Sequence, residues 1–174
     1  MRFLAAIGAL AIVIGIGAAA FFFGGYYNVA GTAADPAPVT WALTRVRVAS
    51  INRHANDSPP ASFGDAAMVE AGAKAYAAFG CATCHGAPGV MWLKLSEGMH
   101  PYPPDLKKVA ADLSPAQLFW IVKNGINMTG MPSFAEAGAT DNEIWSIAAF
   151  VKKLPSVSDA DYKSWTAGVE PKQH

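Results

Sequence analysis

Cys81-Ala82-Thr83-Cys84-His85 is the stretch on which the reading of this chain turns. Two thiols three positions apart, followed at once by an imidazole, form a C-x-x-C-H run, the pattern of a c-type haem attachment site. Each thiol can add across a porphyrin vinyl group, and the adjacent imidazole then lies under the iron, for which His is one of few suitable ligands. Three other chemistries use such a pair. A thioredoxin-like dithiol normally sits in a βαβ setting, and no alternation of strand and helix patterns surrounds Cys81. A structural zinc site needs two more Cys or His ligands at close spacing, and none follow. A disulfide across two residues leaves His85 without a role. The run therefore favours covalent haem, and because these are the only two cysteines, no disulfide framework remains for the domain.

Working outward, the pattern before Cys81 is helical from Asp65. Met68, Val69, Gly72, Ala73, Tyr76 and Ala77 fall on a 3.6-residue repeat, with small members that permit close packing. After the motif, Gly86, Pro88 and Gly89 allow a tight loop. Residues 90–104 read as irregular, with Trp92, Met99, His100 and Tyr102 among prolines, and Asp105–Ala111 holds at most one helical turn. Ser114-Pro115-Ala116-Gln117 is a capped helix start with Pro in the first turn, and Gly125 is its stop. Thr140-Asp141-Asn142-Glu143 repeats the capping logic, and an apolar stripe through Ile144, Ile147, Ala148 and Val151 ends before Pro155. A last short helix starts at Ser158. No strand pair is evident, so the body is expected to be all-α.

At the other end, Phe3–Phe23 is 21 residues without a charged or hydrogen-bonding side chain. About 20 such residues cross the hydrocarbon core of a bilayer. A cleaved signal peptide has a shorter apolar core, and Thr32-Ala33-Ala34 keeps that alternative open as a small-residue cleavage site. Length favours a retained anchor, with Tyr26 and Tyr27 at headgroup depth. Only Arg2 and the amino terminus flank the short side, a weak positive-inside signal. Ala30–Thr40 reads as a proline-bearing linker. Thr40 is a possible cap for a short helix over Trp41–Ala55, where Arg45, Arg47 and Arg53 gather positive charge on a solvated or membrane-proximal face. The expected partition is residues 1–25 as transmembrane anchor or uncleaved signal, 26–64 as linker and juxtamembrane segment, 65–155 as haem domain and 156–174 as C-terminal extension. Thirteen basic against thirteen acidic residues leave no nucleic-acid footprint.

The C-A-T-C-H run after one helix, Asn124-Gly125-Ile126 at a helix end, Thr129-Gly130-Met131-Pro132 and a closing amphipathic helix together resemble class I cytochromes c, over about residues 65–155. Within that family the chain is similar to the bacterial, membrane-anchored monohaem kind. The resemblance implies one covalent haem c held by Cys81 and Cys84, His85 and Met131 as axial ligands, and a haem domain on the periplasmic side of the inner membrane. Met131 matches the family position; Met91, Met99, Met128 and His100 are the other donors beyond the haem motif. His54 and His174 are expected to be structural or solvent-facing. Phe79, Leu95, Leu106, Leu118, Trp120, Ile121 and Ile147 are candidate haem walls. Tyr102, Trp92 or Trp145 could donate to a propionate, and a carbonyl near Pro101 or Pro88 could hold the His85 Nδ1.

Two functional classes follow. One is a one-electron carrier between membrane or periplasmic redox proteins, either free or fixed as a haem-c subunit of a dehydrogenase or oxidase complex. The other is a peroxidase-like enzyme with an open axial site, which calls for a distal His or Arg. Residues 65–155 contain no Arg, and their only His besides His85 is His100. A carrier rather than an enzyme is therefore expected. Lys94, Lys107, Lys108 and Lys123 are candidates to steer an acidic partner, while Lys152 and Lys153 suit the end of a helix dipole.

Overall fold

Small residues decide where the helices of the body meet. In the computed structural model, which describes residues 2–172, helix α3 (Ala66–Ala78) lies against α7 (Asp141–Lys153). Their closest approach is at Gly72, where an added Cβ would come 1.9 Å from the Ser146 carbonyl oxygen. Ala73, Ile144, Ala148 and Phe150 are wholly buried around this crossing. Phe150 packs on Tyr76 at 5.2 Å and on Tyr162 at 5.7 Å, bringing in α8 (Asp159–Trp165). Helix α6 (Pro115–Asn124) closes the core from another side through Phe119, stacked 4.1 Å from Trp145 of α7.

The capping signals act as read. Ser114 Oγ accepts from Gln117 N while the Gln117 side chain accepts from Ser114 N, and Thr140 and Glu143 do the same for α7. Ser158 caps α8, and Asp105 caps the single turn of α5 (Leu106–Val109). The loop after the haem motif is less irregular than its prolines imply, since Lys94–Gly98 form a 3₁₀ turn. Among the described residues every element is helical, and the sole β-type pairing is an isolated bridge between Ala87 and Val90.

Two segments differ from the sequence reading. Helix α2 runs from Ala37 to His54, so it opens three residues before Thr40, which lies inside the first turn. Proline explains the difference: Pro38 falls in the first turn, where the missing N–H would have had no partner. Lys152 does more than meet a helix dipole, because its Nζ donates to the carbonyls of Ala110 at 2.7 Å and Leu113 at 2.9 Å, fastening the α5 turn to α7.

The described residues divide after Pro36 into two compact units. The first holds α1 (Arg2–Phe23), 22 residues and about 33 Å at 1.5 Å per residue. It is long and apolar enough to cross a membrane, and none of its residues is buried. The second holds α2 to α8.

Candidate functional site

The motif sits on α4 (Cys81–His85), a single turn separated from α3 by Phe79 and Gly80. The turn is held from behind: Tyr76 Oη donates to the Gly86 carbonyl at 2.7 Å, and Leu93 N donates to Thr83 O at 2.8 Å. Burial raises the Tyr76 hydroxyl far above its ordinary value, so at neutral pH it acts only as a neutral donor.

His85 is fixed by its backbone-facing nitrogen. Nδ1 lies 2.9 Å from the Pro104 carbonyl, and since a carbonyl only accepts, Nδ1 carries the proton and Nε2 keeps its lone pair. Burial lowers the His85 pKa, opposed by that hydrogen bond, so the ring is neutral and able to ligate a metal. The acceptor is Pro104, neither Pro101 nor Pro88; nothing in the sequence separates these prolines, because the choice depends on how the loop folds back over α4.

Cys81 and Cys84 are unpaired, the first buried and the second partly so. Burial pushes the Cys81 thiol up to about 12. Beside them a cleft of about 240 Å³ is lined by Cys84, Trp92, Tyr102, Pro103 and Pro104, among others. Two of the three proposed propionate donors, Trp92 and Tyr102, line this cleft; the third, Trp145, is stacked in the core. Among the described residues no three His, Cys, Asp or Glu side chains converge as a cation site.

Met131 lies on the loop after α6, and the sequence makes that loop stiff. Gly125 ends α6 at φ 68° and ψ −172°, a region essentially restricted to glycine. Ile126 N donates to Met131 O at 3.1 Å, Thr129 Oγ1 donates to Ile126 O at 2.7 Å, and Met131 N donates to Thr129 Oγ1 at 3.1 Å. Met131 is partly buried against the core, whereas Met128, Met91 and His100 are exposed. The 90–104 loop touches both segments that carry the expected ligands: Pro104 holds His85, and Met99 Sδ lies 2.7 Å from where a Gly130 side chain would begin. A carbonyl partner for His85 is expected from the sequence, though not at Pro104, while no sequence signal marks the Met99 contact.

Of the candidate walls, Phe79, Leu118 and Ile147 are buried in the core, Leu106 packs against it, and Leu95 is exposed. Ile121 is half-buried. Trp120 is stacked on His54 of α2, which gives that histidine a structural contact; His174 lies outside the described residues. Lys123 is engaged within the molecule, 2.8 Å from Asp141 and over the Phe119 ring, which weakens its candidacy for docking.

An all-α body closed by the α3–α7 crossing, with C-x-x-C-H on the turn after the first helix of the pair, defines a class I cytochrome c domain that follows one N-terminal apolar helix. Residues 67–151 match the family model described as cytochrome c oxidase, cbb3-type, subunit III, and this part of the chain is a class I cytochrome c domain. No curated protein and no solved structure matches the chain. The donor set fits the cofactor the family implies: two unpaired thiols and a neutral imidazole with a free Nε2 stand on one turn, and the adjoining cleft is walled by Trp92, Tyr102, Pro103 and Pro104, with Ser96, Glu97 and Asp105 adding polar groups. The protein is a haem-c electron-transfer protein with redox partners in an electron-transport chain.

Proposed function

We propose that this protein is a one-electron carrier held at the periplasmic face of a bacterial inner membrane by α1, with a single haem c joined through Cys81 and Cys84 and ligated by His85 and Met131. The proposed partition is residues 1–25 as anchor, 26–64 as linker and juxtamembrane segment, 65–155 as haem domain and 156–174 as C-terminal extension. Bound there, the haem supplies a reversible one-electron iron couple, and His/Met ligation raises its potential. The chain's own part is positional. Pro104 orients His85, the hydrogen-bonded 125–131 loop holds Met131, and Tyr76 of α3 fixes the end of the motif turn at Gly86.

The observation that carries this reading is the neutral His85, locked by Pro104 on the same turn as two free cysteines. A carrier is favoured over a catalyst because residues 65–155 offer no Arg and only His100 as a further His. The decisive experiment is Met131→Ala. Haem should stay with the polypeptide on a denaturing gel, while the red methionine–iron absorption disappears, carbon monoxide binds and the potential falls. An unchanged spectrum and potential would sink the assignment.

The description of the matched family favours a second reading, a haem-c subunit fixed in a membrane oxidase. Purification in mild detergent separates the two: a fixed subunit travels with the complex, and a free carrier does not.

A further inference from the structure

Helix α2 is docked only at its end. Ile51 is buried, Gln117 Nε2 donates to Asn52 Oδ1 at 2.6 Å, and His54 stacks on Trp120 at 6.0 Å. The turns before this are mostly exposed: Trp41 is 65% exposed and Val46 66%, with Leu43, Arg45 and Val48 also exposed, while Val39 and Arg47 are half-buried. The helix holds Arg45, Arg47 and Arg53 and no acid, which is three of the four arginines in a chain of zero net charge. Among the described residues none of the three forms an ion pair. The apolar side chains lie around the helix, not in one stripe, so deep immersion is not what this segment is built for.

We infer that α2 lies along a lipid surface bearing anionic phosphate headgroups, an inference that rests on α1 being a membrane anchor. Arginine's planar fork pairs bidentately with phosphate as it does with carboxylate, so two other features select lipid over an acidic protein. Trp41 and the arginine stems suit the boundary between headgroup and acyl chain, where aromatic rings settle and long cationic side chains snorkel. And α2 begins at residue 37, after an α1 that ends at residue 23, so a spacer of at most about 45 Å keeps it at high effective concentration over the bilayer. Attraction is therefore mainly electrostatic and shallow, and it is screened by salt.

The test is hydrogen exchange of the full-length holoprotein in lipid nanodiscs, comparing phosphatidylcholine alone with phosphatidylcholine containing one third phosphatidylglycerol. Amides of residues 40–48 should exchange about fivefold or more slowly in the anionic discs, as expected from roughly one arginine contact. The protection should disappear in 0.5 M salt (an order-of-magnitude screening condition, ~3–5 Å Debye length) and in the triple variant Arg45→Gln, Arg47→Gln, Arg53→Gln. Equal exchange in both lipids overturns the inference. So does protection seen only in discs drawn from native membranes, which assigns α2 to a protein partner. Co-elution of the chain with the discs reads α1 independently: a chain that does not co-elute loses the anchor and this inference together, and one that co-elutes without lipid-dependent protection loses the inference alone.

Discussion

Gly125 shows how much one backbone position carries. The sequence marks it as a helix stop, and the structure adds that the chain must turn there toward Met131: a Cβ would meet the Pro132 carbonyl carbon at 2.6 Å and the Met131 oxygen at 2.7 Å. Both neighbours are backbone, so nothing flexible can give way. Gly125→Ala is expected to cost about 1–3 kcal/mol in backbone strain, with contact repulsion added, and to displace the Met131 loop. Thermal denaturation should show the loss of stability, and weakening of the red methionine–iron absorption should show the displaced ligand. A variant with unaltered melting and absorption would mean that the loop is softer than its hydrogen bonds imply. Legibility at this scale is uneven for a plain reason. Cys81, Cys84, His85 and Met131 stand out as candidates by residue type and spacing, whereas the group that holds His85 is a backbone carbonyl, Pro104 O, of a kind every residue possesses.

Elements were legible where both ends are punctuated and one face is apolar. Helices α6 and α7 carry capping boxes and clean stripes, and their bounds follow from those residues. Helix α2 lacks such a stripe, and Pro38 looks like linker until it is seen in a first turn, so the helix was read as starting too late. The stripe of small residues on α3 was read as permission for close packing, and the crossing with α7 makes that quantitative. With the Ser146 carbonyl 1.9 Å from a would-be Cβ at Gly72, and Phe150 Cβ at 2.8 Å, the two helices must separate to admit a methyl group. Gly72→Ala is therefore expected to destabilise the domain by about 3 kcal/mol, the upper range for overpacking a tight core. Denaturant unfolding of the holoprotein is the measurement, and a loss below about 1 kcal/mol would show that the crossing is not close-packed.

At the scale of the whole molecule, the all-α class and the cytochrome c domain were legible, but the closing of the chain upon itself was not. Residue 172 lies far along the sequence from everything it touches, and no periodicity points to it. Lys172 N donates to Ala78 O at 2.8 Å, capping the end of α3 just before the motif. Its Nζ lies 2.6 Å from Glu143 Oε1 at the start of α7 and 4.3 Å from the centre of the Phe79 ring. One side chain thus ties the C-terminal end of α3 to the N-terminal turn of α7. Because the ion pair is partly exposed, the tie is worth only about 0.5–1 kcal/mol, the cation–π contact included. Lys172→Gln should lower the melting temperature by about 2–4 °C at neutral pH. The pH dependence identifies the cause. The Lys172 hydrogen bond, aided by the Thr140 backbone, holds the Glu143 carboxyl below its ordinary value of 4.5. A carboxylate depressed in the folded state stabilises above its unfolded pKa, and the contribution is lost as pH falls through the folded one. The gap between wild type and Lys172→Gln should therefore be full at pH 7, narrow as pH drops below about 4.5, and settle at the part owed to Phe79. A gap that stays constant down to about pH 3 would show that Glu143 has no share in the tie.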